Sequence, residues 1–241
     1  EYTVYFRKFC LNTLHSTASQ GDTQLPQCHP FLICQHAGRS GITGQFSFFR
    51  SQQDQVLRLM AQGMDAVKEG NRLTYVHPGR IVLGEREAGE ISARVQKVAD
   101  FLNSHGVVCT PVGDMVRRQW GKLMLNVGLN QACMVFECDY GGVQQPGRPR
   151  EVMLGAMREA QKMAALEGYA ISEEEFSEWV ALLDSFSPEG KPSMRQDGEA
   201  HRKSEVELFA GTMVRLGQKH GVSLPVNEWL YDRVREIEAG Y

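Results

Sequence analysis

Trp120-Gly-Lys122-Leu-Met-Leu-Asn126-Val-Gly-Leu-Asn130-Gln-Ala-Cys-Met-Val-Phe136 is the stretch that decides how this chain folds. It is apolar nearly all round, as a helix buried inside a protein is. Yet Lys122, Asn126 and Asn130 recur every four residues. At about 100° per residue each step of four drifts only about 40°, so the three side chains share one side of the helix. A lysine and two amides on a buried line are costly unless they find partners. Two readings stand. Lys122 reaches solvent and the asparagines bond neighbouring loops, or the line is the polar wall of a cleft. In the second case Lys122 is a proton donor or anion contact, and the amides orient a ligand.

Helical patterns continue on both sides of that stretch. Asp114 is placed to cap the long helix, which runs to about residue 137. Further helices read at 150–167, at 173–186 behind the capping box Ser172-x-x-Glu175, at 204–220 before Gly221, and at 227–239 beyond Pro225. The loop 187–192, with Pro188, Gly190 and Pro192, reads as helix-free. Upstream the pattern changes. Residues 91–105 form an amphipathic helix before Gly106. Residues 73–76 and 80–83 read as strands joined by His77-Pro78-Gly79, and 107–110 as another short strand. Residues 51–62 read as a short helix with Ser51 as N-cap. The chain therefore divides near Pro111-Val112-Gly113, with an α/β part at 1–111 and an all-α domain at 112–241.

A second group of residues lies between the late helices. Pro192-Ser193 forms a rigid turn that presents a hydroxyl and backbone N–H groups, a common way to hold a carboxylate. Glu205 is expected in the first turn of the 204–220 helix, where the dipole favours an ionised carboxylate. Helix-end electrostatics alone would also account for these residues.

Composition narrows the function. The chain has 241 residues, a formal charge of −3 and 42% apolar residues. There is no basic footprint for nucleic acid, no apolar run long enough for a membrane, and no basic and apolar leader of the secretory kind. These features point to the cytoplasm, where the six cysteines would be reduced. Cys28, Cys34, Cys133 and Cys138 lack the paired short spacing of zinc sites, so no metal is expected. Residues 1–50 stand apart, with Glu1, Arg7, Lys8, Asp22, Arg39 and Arg50 as their charges. Residues 31–34 form an apolar run and 38–44 a turn.

Taken together, several segments closely resemble the ketopantoate reductase family. They are Lys122-x3-Asn126-x3-Asn130, Ser193-Met-x-Gln196-Asp197, Arg202-x-Ser204-Glu205-x-Glu207 and Gly211-x5-Gly217-x3-Gly221-x3-Pro225-x-Asn227. Tyr75-Val-His77-Pro-Gly79 through Gly84-Glu85 adds to it, and the match covers about residues 60–240. The resemblance implies an N-terminal Rossmann part and a helical domain of the 6-phosphogluconate dehydrogenase C-terminal type. It implies NADPH-dependent reduction of ketopantoate, a 2-keto acid, to pantoate on the route to coenzyme A. It makes Lys122 the general acid and Glu205 the residue that contacts substrate and keeps Lys122 charged. Asn126 and Asn130 would bind the substrate's hydroxyl and carbonyl side, and Ser193 its carboxylate. Tyr140 stands where the family often has a further Asn.

The nucleotide half departs from the family. No G-x-G-x-x-G follows a first strand, and Gly38-x-x-Gly41-x-x-Gly44 has another spacing. Gln35-His36-Ala37-Gly38 is the nearest match to the family's Gln-Asn-Gly, with His36 in place of Asn. The Rossmann-like part is thus incomplete or divergent, and its cofactor-binding residues are unassigned. Two alternatives accompany the ketopantoate expectation: a reductase of another 2-keto acid, and a non-catalytic helical remnant that binds a small acid or dimerises. The apolar faces of the helical domain allow a homodimer without fixing one.

Overall fold

Alternation of buried residues explains the sheet of the first half. A computed structural model of the chain describes residues 46–50, 56–62, 66–69, 72–75 and 79–241. The chain divides into two compact units, Glu1–Met115 and Val116–Tyr241. The expectations for 31–34, 35–38, 38–44, Ser51 and His77-Pro78 lie outside the described residues.

In the first unit, strands β1 (Phe46–Arg50), β2 (Val56–Gln62), β5 (Arg80–Gly84) and β6 (Cys109–Val112) form one sheet in the order β1-β2-β5-β6. Strands β3 (Ala66–Glu69) and β4 (Arg72–Tyr75) pair with each other in a second. The two strands expected at 73–76 and 80–83 are therefore present but belong to different sheets. β1, β2 and β5 are antiparallel, whereas β5 and β6 are parallel and flank helix α1 (Ala93–Ser104) in sequence.

Leu57, Leu59, Ile81, Leu83 and Cys109 join α1 residues Val95, Ala99 and Leu102 in one apolar cluster. Met60, Val82 and Val112 join Met115 in another. Over its described part, 56–62, that two-residue alternation corrects the helix expected at 51–62. Leu57, Leu59 and Met60 lie together on a helical plot, but here they point to opposite faces of a strand buried on both sides. A short apolar run cannot be told from a helix by period alone. Pro111 sits in β6, which is an edge strand among the described residues, where its missing N–H is tolerated.

The second unit is helical: α2 (Met115–Val135, which begins one residue earlier), α3 (Tyr140–Gln144), α4 (Arg148–Leu166), α5 (Glu173–Asp184), α6 (Ser193–Glu199), α7 (Ala210–His220) and α8 (Pro225–Ala239). The short helices α3 and α6 carry too few residues to show a period in sequence. α2 runs through the apolar core with Met124, Val127, Leu129, Ala132, Cys133 and Met134 buried. Its glycines set its neighbours' distance. A Cβ on Gly128 would lie 2.6 Å from the Met153 carbonyl oxygen of α4, and one on Gly121 2.5 Å from the Trp179 ring of α5. Met153, Met157 and Met163 of α4 are fully buried filler.

Local rules set the helix ends. The Ser172–Glu175 capping box forms reciprocally, with the Glu175 N–H 3.2 Å from Ser172 Oγ and the Ser172 N–H 2.9 Å from Glu175 Oε2. Gly221 ends α7 at φ 63°. At the start of α8, Glu159 accepts from the Val226 and Asn227 N–H groups at 2.9 Å each and from Asn227 Nδ2 at 2.7 Å. α2 ends differently. Glu137 takes the left-handed position at φ 50°, and the Cys138 N–H reaches back to the Cys133 carbonyl at 3.0 Å. This is the six-to-one bond of a Schellman stop, made without glycine.

One expected boundary is corrected. Helix α7 begins at Ala210, not at Ser204. Phe209, at φ −92° and ψ −90°, is not helical, and residues 205–209 form a turn. Glu205 therefore lies in that turn and not in the first turn of the helix. No helix among the described residues is long and apolar enough to cross a membrane.

Candidate functional site

Within the second unit, α2 carries Lys122, Asn126 and Asn130 along one side, as their spacing requires. Lys122 and Asn126 are half-buried, and Asn130 is 4% exposed. Two other segments meet this line.

At one end stands Ser193, whose Oγ lies 3.4 Å from Asn130 Nδ2. The loop that delivers Ser193 is held to α3 by backbone bonds. The Tyr140 N–H donates to the Gly190 carbonyl at 2.9 Å, and the Gly141 N–H donates to the Pro188 carbonyl at 2.8 Å. Tyr140 itself packs on Phe186 with ring centroids 5.2 Å apart, and burial pushes its hydroxyl up to about 12. Its place is structural: the ring locates the loop. Beyond Ser193, Met194 is fully buried. The buried Asp197 takes Arg202 Nε and Nη2 on one oxygen, at 3.1 and 2.9 Å. Asp197 and Arg202 thus serve the backbone path between Ser193 and Glu205.

At the other end stands Glu205. Burial pulls the Lys122 ammonium below the usual lysine range, and the negative charge of Glu205 opposes that shift. The structure therefore brings the five expected residues to one line: Glu205 acting on Lys122, then Asn126, then Asn130 on Ser193. Asn126 makes no side-chain hydrogen bond to protein among the described residues.

Gln131 escaped the sequence reading. It is fully buried, its Nε2 donates to the Val127 carbonyl at 2.6 Å, and its Oε1 accepts from the Ala210 N–H at 3.2 Å. It satisfies a donor at the start of α7 and ties the Glu205 turn to α2. The one available signal was a glutamine inside an otherwise apolar run.

Of the first unit, residues 1–45 lie outside the described residues. One described strand–helix passage is β5 to α1, and its helix start is capped from within. Ser92 caps it, accepting from the Val95 N–H at 3.2 Å. Glu85 lies against that cap, 2.8 Å from Ser92 Oγ and 2.6 Å from Arg94 Nη2. Glu85 thus bonds the capping hydroxyl and Arg94 in the first turn of α1. Among the described residues no group of three or more His, Cys, Asp or Glu side chains could hold a metal ion.

Comparison with known proteins adds an independent line. Residues 114–238 match the family described as "Ketopantoate reductase PanE/ApbA C terminal". A 2-dehydropantoate 2-reductase of Archaeoglobus fulgidus is 28% identical over 174 residues, 72% of this chain and 58% of the relative. That of Halobacterium salinarum is 30% identical over 157 residues, 65% and 51% respectively. The chain thus spans little more than half the length of these curated relatives. Among solved structures, the 2-dehydropantoate 2-reductase of Methylococcus capsulatus superposes with a TM-score of 0.67 at 23% identity, covering 77% of this chain and 59% of that one. A D-mandelate dehydrogenase with NADH and anilino(oxo)acetate superposes at 0.65 and 24%, covering 76% and 59%. At such identities these structures show the fold alone.

Proposed function

The chain belongs to the ketopantoate reductase family through its C-terminal domain, and from that membership we propose that it binds and protonates a 2-keto acid, ketopantoate, in NADPH-dependent reduction to pantoate. On this reading residues 1–111 are an incomplete Rossmann-like part, and residues 112–241 are a domain of the 6-phosphogluconate dehydrogenase C-terminal type. One observation carries the substrate side: Lys122, Asn126 and Asn130 in line on α2, with Glu205's charge at one end and Ser193's hydroxyl at the other.

Lys122 is the general acid. Its Nζ gives a proton to the carbonyl oxygen as that oxygen gains negative charge, and the remaining dipoles of the line stabilise the alkoxide. Glu205 keeps Lys122 protonated against the burial that opposes it. Asn126 and Asn130 donate to the hydroxyl and carbonyl side of the substrate, and Ser193 donates to its carboxylate. The cofactor side rests on the family membership, and residues 1–45 lie outside the described residues. The sequence has no G-x-G-x-x-G after a first strand, and that departure supports a second reading, in which the chain binds a small acid without turnover.

Fluorescence titration with NADPH separates the two, alongside turnover of ketopantoate. Binding and turnover that collapses in Lys122→Ala support the reductase. Absence of NADPH binding supports the second reading. Full turnover by Lys122→Ala would remove Lys122 from the mechanism.

A further inference from the structure

The turn that bears Glu205 is gripped from outside. Glu238, on the last turn of α8, is 7% exposed. One of its oxygens accepts from the Ser204 N–H at 2.7 Å and from Ser204 Oγ at 2.6 Å. Lys203 Nζ lies 3.6 Å from its other oxygen and donates to the Glu238 carbonyl at 2.9 Å. Ser204 Oγ in turn accepts from the Val206 N–H at 3.3 Å, and the Glu205 carbonyl takes the N–H groups of Leu208 and Phe209 at 2.9 and 3.2 Å. At the far end of the turn, Gln131 holds Ala210. Residues 201–203 are exposed, whereas Ser204 and Glu205 are half-buried. A buried carboxylate is an expensive group to use, and charge-assisted bonds of this length are the strong, geometry-fixing kind.

We propose that Glu238 is a positioning residue of the site: by gripping Ser204 through its backbone N–H and its hydroxyl, it fixes where Glu205 stands relative to Lys122. This rests on the reading of Lys122 as acid and Glu205 as its partner. Glu238 touches neither substrate nor reacting atoms in that scheme; it acts through Ser204. Its own charge faces Lys203 and reaches Arg235 and Tyr241. The charge that acts on Lys122 is that of Glu205.

The test is an NMR titration of the Lys122 side chain in protein labelled at lysine Cε, with Lys122→Arg to assign the signal. It needs no turnover. Glu205→Gln removes the charge that opposes burial, so the Lys122 midpoint moves to lower pH. Glu238→Ala frees the turn and moves it the same way by a smaller amount. Glu238→Gln loses the charge but keeps an oxygen at the same reach for Ser204, so its midpoint stays near wild type. That rescue separates placement from simple charge removal. A Glu238→Ala midpoint equal to wild type, beside a shifted Glu205→Gln, overturns the positioning role alone. An unmoved Glu205→Gln overturns the acid–partner reading and the positioning role with it. Should Glu238→Ala fail to fold, Ser204→Ala, which deletes the hydroxyl half of the grip, is expected to shift in the same direction, and no shift overturns the proposal.

Discussion

Two faces of α2 are built on opposite principles. One presents Gly121 and Gly128 and closes on its neighbours until no side chain fits between, with Met153 and Trp179 at van der Waals contact. The other presents Lys122, Asn126 and Asn130, with Asn130 on the Ser193 hydroxyl and the charge of Glu205 acting on Lys122. A glycine inside a helix costs about 1 kcal/mol relative to alanine. A buried polar line costs more unless satisfied. The difference teaches a division of labour. The closed face fixes the axis and rotation of the helix, and the polar face can then hold a fixed geometry for a ligand.

Substitutions that fall on one face should leave the property of the other alone. Lys122→Ala is the largest test. If Lys122 is the general acid of the proposed ketopantoate reduction, its loss lowers kcat by about 10²–10⁴-fold, with the thermal midpoint nearly unchanged. A large fall in stability without loss of turnover would place Lys122 on the structural side. Gly128→Ala is the converse. Its methyl would meet the Met153 carbonyl at 2.6 Å and Met157 Cγ at 2.5 Å, and one contact is backbone that cannot swing away. Overpacking of this kind costs about 1–3 kcal/mol, outweighing the gain in helix propensity, and chemical denaturation reads it. An unchanged or raised midpoint would mean that α2 and α4 can separate freely and that the closed face does not fix the helix.

A finer test concerns the charge at the end of the polar face. On the proposed mechanism Lys122 must be protonated to donate, so turnover would be present below its midpoint and fall as pH rises through it. Burial already lowers that midpoint, and Glu205 opposes the shift. Glu205→Gln should therefore move the alkaline limb of kcat/KM to lower pH. A limb that stays in place or moves upward would uncouple the two residues.

The two faces were not equally legible. The polar one could be read because three side chains at a spacing of four need only the helical period. The capping box at Ser172 and the stop at Gly221 were equally local. The closed face could not be read: that Gly128 touches α4 depends on a partner some twenty-five residues away. Gln131 was hidden for the same reason, since its partner is Ala210. Strand β2 misled because burial on both faces removes the polar alternation that marks a strand. Glu205 was found by its neighbours in sequence but misplaced in structure, because the break at Phe209 carries no glycine or proline to announce it.

The end of α2 belongs to neither face, and it offers the smallest effect. Its stop places Glu137 at φ 50°, a backbone conformation that costs an ordinary L residue about 1–2 kcal/mol. Glycine adopts it freely but loses more chain entropy on folding, by about 0.4–1 kcal/mol. Glu137→Gly should therefore stabilise the protein by roughly 0.5–1 kcal/mol, visible as a small rise in the denaturation midpoint. The Cys138 N–H bond to the Cys133 carbonyl persists, because it needs only the left-handed position and not the side chain. Since the polar face ends at Asn130, the same variant should leave the Lys122 titration unmoved. A loss of stability would show that the Glu137 side chain is held by contacts worth more than the strain of its backbone. A shift at Lys122 would show that the helix end and the polar line are not independent.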